Sequence, residues 1–449
     1  MDLDAIFKAY DIRGRIDNGD LDADIVHRIG AGFAVFAAEP RIAVGRDIRT
    51  SSEELATAFI DGVRGQGVDV DDLGLIATDM SYYYAGAYSA PAAMVTASHL
   101  PLNWNGIKLS LAGAKPVSGD SGLADIKRLA SEPPADSATT GQIARVEILK
   151  GYIDHLYSVV DADAFQPLRV AVDGGNGMAG VVVGPVLERV PVVLTSLYLT
   201  PDGTFPNHPA DPTRPENLVD LIAAIKKQPH DLGVAFDADA DRAIFVDDAG
   251  QPLSGSTTTA MVASWFLERS PGATVVHNLI CSRAVPEAIV AAGGKPVETR
   301  VGHSYIKAVM AETDAIFGGE HSAHFYFRDN YRADSGTLAM LVLMQLLSEA
   351  DRPLSELRRV FEPYSQSGEI NFRVDDVNAM MQVVEEETGG DVNHLDGLTV
   401  SWADRWFNLR PSNTEALLRL NVEAPDVEGV AELVTQVGSI ITDHGGAED

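Results

Sequence analysis

Ala92-Ala93-Met94-Val95-Thr96-Ala97-Ser98-His99-Leu100-Pro101 is an apolar run that ends in a polar loop closed by proline. Ala92–Thr96 reads as a buried strand that delivers Ser98 to its carboxyl end, where open α/β sheets place their ligand chemistry. Gly106–Leu111 continues as another strand and carries Lys108. Upstream, Arg41–Gly45 reads as a strand and Ser51–Val63 as a helix, with Ser51 or Ser52 as N-cap and acidic residues in the first turn. Short β-branched runs alternate with amphipathic helical stretches in this way along the chain, the pattern of α/β layers.

At 449 residues the chain is too long for one core. A Pro/Ser/Ala/Thr stretch, Ser131–Thr140, reads as a linker. After it, Leu168–Asp173 is a strand and Gly174-Gly175-Asn176-Gly177 a turn into a helix, without the G-x-G-x-x-G spacing of a dinucleotide site. Asp231–Phe236 and Ala243–Asp247 are strands on either side of an aspartate triplet. Thr274–His277 and Pro296–Val301 are strands of a further unit, which holds the loop Gly318–His324. From about Glu369 strands and helices mix differently. The expected division is 1–140, 141–247, 248–365 and 366–449: three similar α/β units with mixed sheets and a smaller, distinct α+β C-terminal unit.

Composition narrows the function classes. Cys281 is the only cysteine, which excludes an internal disulfide and fits a reducing compartment. The N-terminus Met1-Asp2-Leu3-Asp4 has no apolar core of a signal peptide, and apolar runs such as Val181-Val182-Val183 are too short to span a bilayer. A cytoplasmic protein is expected. The net charge of −31 argues against nucleic acid or anionic membranes as partners. It permits an anionic small substrate, because the scarce cations Arg13, Arg46, Lys108, Arg242, Lys307, Arg410 and Arg419 fall in the motif loops. The acidic excess fits a solubility device or adaptation to high salt.

Asp237-Ala238-Asp239-Ala240-Asp241-Arg242 sets three carboxylates at alternate positions. In extended chain they share one side, and hard oxygen donors so gathered suit Mg²⁺. An EF-hand is excluded, since Arg242 stands where that loop needs Gly and Asp248 where it needs Glu. An activatable hydroxyl, Ser98, and a carboxylate nest are the parts phosphoryl transfer requires. Gly318-Gly319-Glu320-His321-Ser322-Ala323-His324 offers a carboxylate and hydroxyl for sugar hydroxyls and an imidazole, His324, for acid–base work near neutral pH. Arg410-Pro411-Ser412-Asn413-Thr414-Glu415 suits a phosphate cradle. Gly302-His303-Ser304, with Lys307 one turn on, follows a strand in the same manner. Each motif alone also suits a polar surface turn.

In this order the motifs resemble the α-D-phosphohexomutase superfamily, the phosphomannomutase/phosphoglucomutase group. The resemblance spans nearly the whole chain and includes Phe7-Lys8-Ala9-Tyr10-Asp11-Ile12-Arg13-Gly14, Gly45-Arg46-Asp47 and Pro201-Asp202-Gly203-Thr204-Phe205-Pro206-Asn207-His208-Pro209. It implies four domains around a central cleft, with Ser98 carrying a phosphoryl group and Asp237, Asp239, Asp241 and the Ser98 phosphate binding Mg²⁺. Lys108, Arg242, His324, Arg13 and His303 would form the catalytic set. Tyr10, Gly302, Lys307, Glu320, Ser322, Arg410, Ser412, Asn413, Thr414 and Arg419 would bind substrate. The implied activity moves a phosphate between the 1- and 6-positions of a hexose, mannose foremost and glucose second, through a hexose 1,6-bisphosphate that also serves as activator. The implied protein is a monomer or homodimer. Leu100 and Ala238 depart from the family's usual Asn and Gly, and His321 and Ala323 from Met or Gln and Gly. Ala238 requires a backbone that tolerates Cβ. The alternatives are a phosphoglucosamine mutase, a Mg-dependent sugar phosphatase with a carboxylate nucleophile, and a non-catalytic sugar-phosphate sensor.

Overall fold

The computed structural model describes residues 3–411 and 417–449. Its first unit runs β1 (Ile12–Arg15), α1 (Ala23–Ala37), β2 (Arg41–Arg46), α2 (Ser52–Gly65), β3 (Asp69–Leu75), α3 (Thr78–Ala87), β4 (Ala92–Val95), β5 (Trp104–Leu111), β6 (Lys115–Pro116), α4 (Leu123–Ser131) and β7 (Ile143–Arg145). The sheet order is β1-β5-β4-β2-β3-β7, with β6 paired to β5. β2 is parallel to β3 and β4, and β5 is antiparallel to β4 and β1. Every residue of β4 is buried, which is why it reads as a continuous apolar run and not as an alternating one. The expected serine cap of α2 does not form. Tertiary contacts claim the hydroxyls instead: Ser52 Oγ donates to Asp47 at 2.5 Å, and Asn105 Nδ2 donates to both serines.

The second unit contains α5 (Leu149–Val159), β8 (Leu168–Asp173), α6 (Ala179–Leu187), β9 (Val192–Leu197), α7 (Val219–Lys227), β10 (Leu232–Phe236) and β11 (Ala243–Val246), in sheet order β11-β10-β8-β9. The third contains α8 (Gly255–Arg269), β12 (Thr274–Asn278), α9 (Ala284–Ala291), β13 (Lys295–Thr299), α10 (His303–Thr313), β14 (Phe317–Gly319), β15 (Phe325–Phe327), α11 (Gly336–Glu349) and α12 (Leu354–Leu357), in order β13-β12-β14-β15. β13 stops two residues short of the expected Val301, so that Arg300–Gly302 turns into α10. The fourth unit is an antiparallel sheet, β17-β18-β19-β20-β16-β21, built from β16 (Ser365–Arg373), β17 (Asp391–Asn393), β18 (Leu398–Ser401), β19 (Trp406–Pro411), β20 (Leu418–Ala424) and β21 (Ala447–Glu448), with helices α13 (Val377–Thr388) and α14 (Val427–Asp443).

The first three units repeat one device. In each, a strand belonging to the parallel part of the sheet returns through a loop into an antiparallel neighbour: β4 to β5, β10 to β11, β14 to β15. Those three loops carry Ser98, the aspartate triplet and Glu320. Units two and three share a continuous core in which Val170, Val172, Phe236 and Phe245 join Trp265, Phe317, Leu338 and Leu341. α11 is apolar on nearly every face because it lies inside that core. Most of the buried apolar residues of unit one, and most of those of unit four, form cores of their own. No helix among the described residues is long and apolar enough to cross a membrane.

Candidate active site

Ser98 sits in the turn after β4, 3% exposed, with φ 51° in the left-handed region. A residue with a Cβ pays about 1–2 kcal/mol there, so the surroundings must hold it. Its N–H donates to Thr96 Oγ1 at 2.9 Å, and its carbonyl accepts from Arg49 Nη2 at 2.6 Å. Its hydroxyl donates to Asp237 Oδ2 at 2.7 Å and accepts from Arg242 Nη2 at 3.3 Å, with His99 Nδ1 at 3.2 Å. Burial and the Arg242 charge hold the His99 imidazole well below its ordinary pKa, hence neutral.

The aspartates converge by a different route from the one expected. The segment between β10 and β11 is a turn and not extended chain, closed by Ala240 N–H donating to the Asp237 carbonyl at 3.1 Å. Ala240, at φ 61°, is its left-handed residue, while Ala238 is buried in an ordinary conformation. The tolerance for Cβ is therefore required at Ala240. The turn gathers one oxygen of each carboxylate within 4.8 Å. Arg242, immediately before β11, donates to Asp237 from Nε at 3.1 Å and Nη2 at 3.0 Å. Lys108, reaching over from β5, donates to Asp239 at 2.7 Å and Asp241 at 2.5 Å. Thr78 Oγ1 also donates to Asp239, at 2.6 Å.

Burial, then the charge of Asp241, pushes the Asp237 carboxyl up to about 7 against the pull of Arg242. Burial works the same way on Asp239, but Lys108 outweighs it and holds that carboxyl well below the usual range. Asp239 Oδ1 and Asp241 Oδ1 are buried and accept no hydrogen bond among the described residues. Buried oxygens left over in this way are hard donors, and the set fits a divalent cation such as Mg²⁺.

The third unit closes over this cluster. His324 bridges by its backbone to Arg242, and its Nδ1 lies 3.0 Å from Asp334 and 4.0 Å from Asp241. Burial disfavours the imidazolium, but Asp241 and Asp334 outweigh it and raise the His324 pKa above its ordinary value. Lys307, on α10, pairs with Asp334 at 2.8 Å and lies 3.8 Å over the Tyr82 ring. Both ring nitrogens of His303 are buried without a hydrogen-bond partner among the described residues, and burial, with Lys307 nearby, holds the imidazole neutral. Glu320, 2% exposed, accepts from Tyr326 OH at 2.5 Å, Asn278 Nδ2 at 3.1 Å and Gly302 N at 3.2 Å. Gly302, at φ 132°, leaves no room for a Cβ, which would fall 2.6 Å from the Tyr10 ring. Ser322 is half-buried in the turn that follows Glu320. Tyr10 OH donates to the Val301 carbonyl at 2.8 Å, and Arg13, on β1, pairs with Asp11 at 2.7 Å.

In the fourth unit Arg410 and Arg419 stand opposite one another across β19 and β20. Glu369 lies 3.3 Å from each guanidinium. Ser412, Asn413 and Thr414 fall outside the described residues. Thr78, Asp334, Glu369 and Arg49 were not found from the sequence. Asp334-Ser335 before the apolar run of α11 reads as a capping signal, and Ser335 does cap α11, but nothing local announces that Asp334 meets His324 and Lys307. A hydroxyl held between the Asp237 carboxylate and the Arg242 guanidinium, beside the neutral His99 imidazole, is equipped to accept and return a phosphoryl group.

Family models of phosphoglucomutase/phosphomannomutase match along the chain: α/β/α domain I at residues 4–133, domain II at 150–250, domain III at 254–364 and the C-terminal domain at 369–438. The phosphomannomutase of Escherichia coli K12 is 39% identical over 432 residues, 93% of this chain and 94% of that protein. A protein of Xanthomonas campestris described as phosphohexose mutases is 37% identical over 439 residues, 96% and 97% of the two chains. A solved phosphoglucomutase/phosphomannomutase family protein of Burkholderia thailandensis superposes with a TM-score of 0.90 at 30% identity, covering 99% of each chain.

Proposed function

Since the chain belongs to the phosphoglucomutase/phosphomannomutase family of α-D-phosphohexomutases, we propose that it interconverts mannose 1-phosphate and mannose 6-phosphate, with glucose phosphates as secondary substrates. It is an isomerase of that family. The observation that carries the reading is Ser98 Oγ, 2.7 Å from Asp237 and 3.3 Å from Arg242, in a strained turn where units one and two meet.

Ser98 starts the cycle as phosphoserine. A sugar hydroxyl oxygen attacks phosphorus, the new O–P bond forms and the P–Oγ bond breaks. Arg242 and Lys108 stabilise the charge that moves onto Ser98 Oγ and the phosphoryl oxygens. The hydroxyl proton passes to a base, the role of His324, whose pKa Asp241 and Asp334 raise against burial. His303 and Arg13 complete the catalytic set. The hexose 1,6-bisphosphate turns by half a revolution, and its other phosphate returns to Ser98 in the reverse sequence. Asp237, Asp239 and Asp241 would hold Mg²⁺, which would supply charge neutralisation at the transferring phosphate. Glu320 and Ser322 hold sugar hydroxyls, with Tyr10, Gly302 and Lys307 lining the site. Arg410 and Arg419, with Ser412, Asn413 and Thr414, hold the phosphate that does not react.

The test is ³¹P NMR of mannose, glucose and glucosamine 1-phosphates with enzyme, Mg²⁺ and catalytic hexose bisphosphate, beside Ser98→Ala. Appearance of 6-phosphate with wild type alone, fastest for mannose, is expected. Inorganic phosphate growing equally in both samples overturns the mutase reading, and a faster glucosamine reaction overturns the sugar.

A further inference from the structure

We propose that Arg49 is a positioning residue that sets the Ser98 nucleophile from behind, and that the Pro201–Pro209 loop of the second unit locks it there through Gly203 and Phe205. The inference rests on Ser98 being the phosphoryl carrier.

Arg49 is 3% exposed, and its guanidinium serves four backbone carbonyls of one loop. Nη2 donates to Ser98 O and Leu100 O, both at 2.6 Å, and Nη1 to Pro101 O at 2.9 Å and Trp104 O at 3.2 Å. Carbonyls turned inward in this way need a buried donor, and a guanidinium offers several in one rigid plane. Asp47, itself 1% exposed, orients the arginine: its Oδ1 accepts Arg49 N–H at 3.0 Å, and its Oδ2 lies 3.4 Å from Nε. The left-handed Ser98 peptide is thus gripped at its carbonyl by a side chain that touches no reacting atom.

The second unit backs this arrangement. The Phe205 ring centre lies 5.5 Å from the Arg49 guanidinium carbon, and Phe205 adopts φ 47°, strained for an aromatic residue. A Cβ on Gly203 would fall 2.2 Å from Ile48 O and 3.0 Å from Thr50 N, so glycine alone lets the loop lie against the residues flanking Arg49. The loop is anchored in turn: Asp202 N donates to Asn176 O at 2.8 Å, and Asn207 Nδ2 to Asn176 Oδ1 at 2.7 Å. Asn176 belongs to the Gly174–Gly177 turn, whose next residue, Met178, donates its N–H to Ala238 O at 2.8 Å. A continuous run of contacts therefore leads from the aspartate turn, behind the site, to the serine turn. The nucleophile and the cation ligands are set against each other from the back as well as by the Ser98–Asp237 hydrogen bond in front.

The test compares full-length wild type with Arg49→Lys and Phe205→Leu. A misplacement of about 1 Å costs on the order of 10²-fold in rate. We expect kcat to fall on that order in Arg49→Lys and about tenfold in Phe205→Leu, with KM for the hexose 1-phosphate within about twofold, because the groups that hold the sugar hydroxyls and the unreacting phosphate, Glu320, Ser322, Arg410 and Arg419, lie in units three and four. Hydrogen exchange of the amides from Ala97 to Asn105 should quicken in both variants while the rest of the chain keeps its protection. Wild-type kcat with unchanged exchange in that loop overturns the proposal. So does a joint change of kcat and KM with exchange quickened throughout, which marks general destabilisation. A wild type without mutase turnover overturns the proposed function instead, and the exchange comparison still decides whether Arg49 and Phe205 hold the loop.

Discussion

Lys108 shows how much one side chain carries at this site. Its ammonium is buried against two carboxylates, at 2.7 Å from Asp239 and 2.5 Å from Asp241. Burial alone would discharge it, but Asp239 and Asp241 outweigh burial and lift its pKa well above the ordinary lysine value. Removing one partner of a buried pair leaves the other charge uncompensated, at a cost of about 3–5 kcal/mol. Lys108→Met should therefore melt well below wild type in EDTA, and Mg²⁺ should raise its melting temperature more than that of wild type, because the cation replaces the lost charge. Equal Mg²⁺ shifts in both proteins would separate Lys108 from the cation ligands. The residue types at this site were legible before the fold: a serine after a strand, alternate aspartates, an adjoining arginine. Their distances were not, since Ser98 and Asp237 are 139 residues apart in sequence and Lys108 and Asp239 are 131 apart.

Among elements, α3, α5 and α11 meet at one buried carboxylate. Asp79, in the first turn of α3, accepts from Tyr152 of α5 at 2.5 Å and from Ser335, the cap of α11, at 2.6 Å. One side chain thus joins units one, two and three. Burial, against the two hydroxyl donors and aided by the charges of Asp241 and Asp334, pushes its pKa up to about 7. The folded protein then holds a proton that the unfolded chain releases, from about pH 4 up to about pH 7. Its contribution to stability is full below that window and is lost as pH rises through it. Asp79→Asn lacks this slope. Its melting temperature, measured in EDTA, should gain on that of wild type between pH 4.5 and 7.5, and parallel curves would refute the assignment. The strand-loop-strand device of the first three units was legible only as weak repetition, because the repeat lies in sheet order and strand direction, which leave little trace in residue identity. The serine caps expected for α2 failed for a related reason: Asp47 and Asn105 offered those hydroxyls better-buried partners than the helix end did.

The whole molecule carries a net charge of −31, and such an excess repels itself in the compact state. The Debye length shrinks from about 10 Å at 0.1 M salt to about 3 Å at 1 M. The melting temperature should therefore rise steadily with KCl over that range, and a flat or falling curve would mean that ion pairs, such as those of Arg358 with Asp247 and Glu362, outweigh the general repulsion. The amino-acid sequence by itself determined the α/β class, the distinct fourth unit and the family, and it carried the residue types of the candidate site. Those follow from hydrophobic period, turn residues and donor types, all local quantities. Tertiary structure alone decided that the aspartates converge through a left-handed turn at Ala240, that Asp334 answers His324 and Lys307, that Glu369 sits between Arg410 and Arg419, and that Arg49 and Phe205 stand behind Ser98. Apart from the aspartate turn, those contacts join residues whose separation along the chain carries no periodic signal. The meeting of Arg49 with Phe205 is set by how units one and two dock, and the others by how strands, turns and helices pack within a unit; packed surfaces of either kind are encoded by no local pattern.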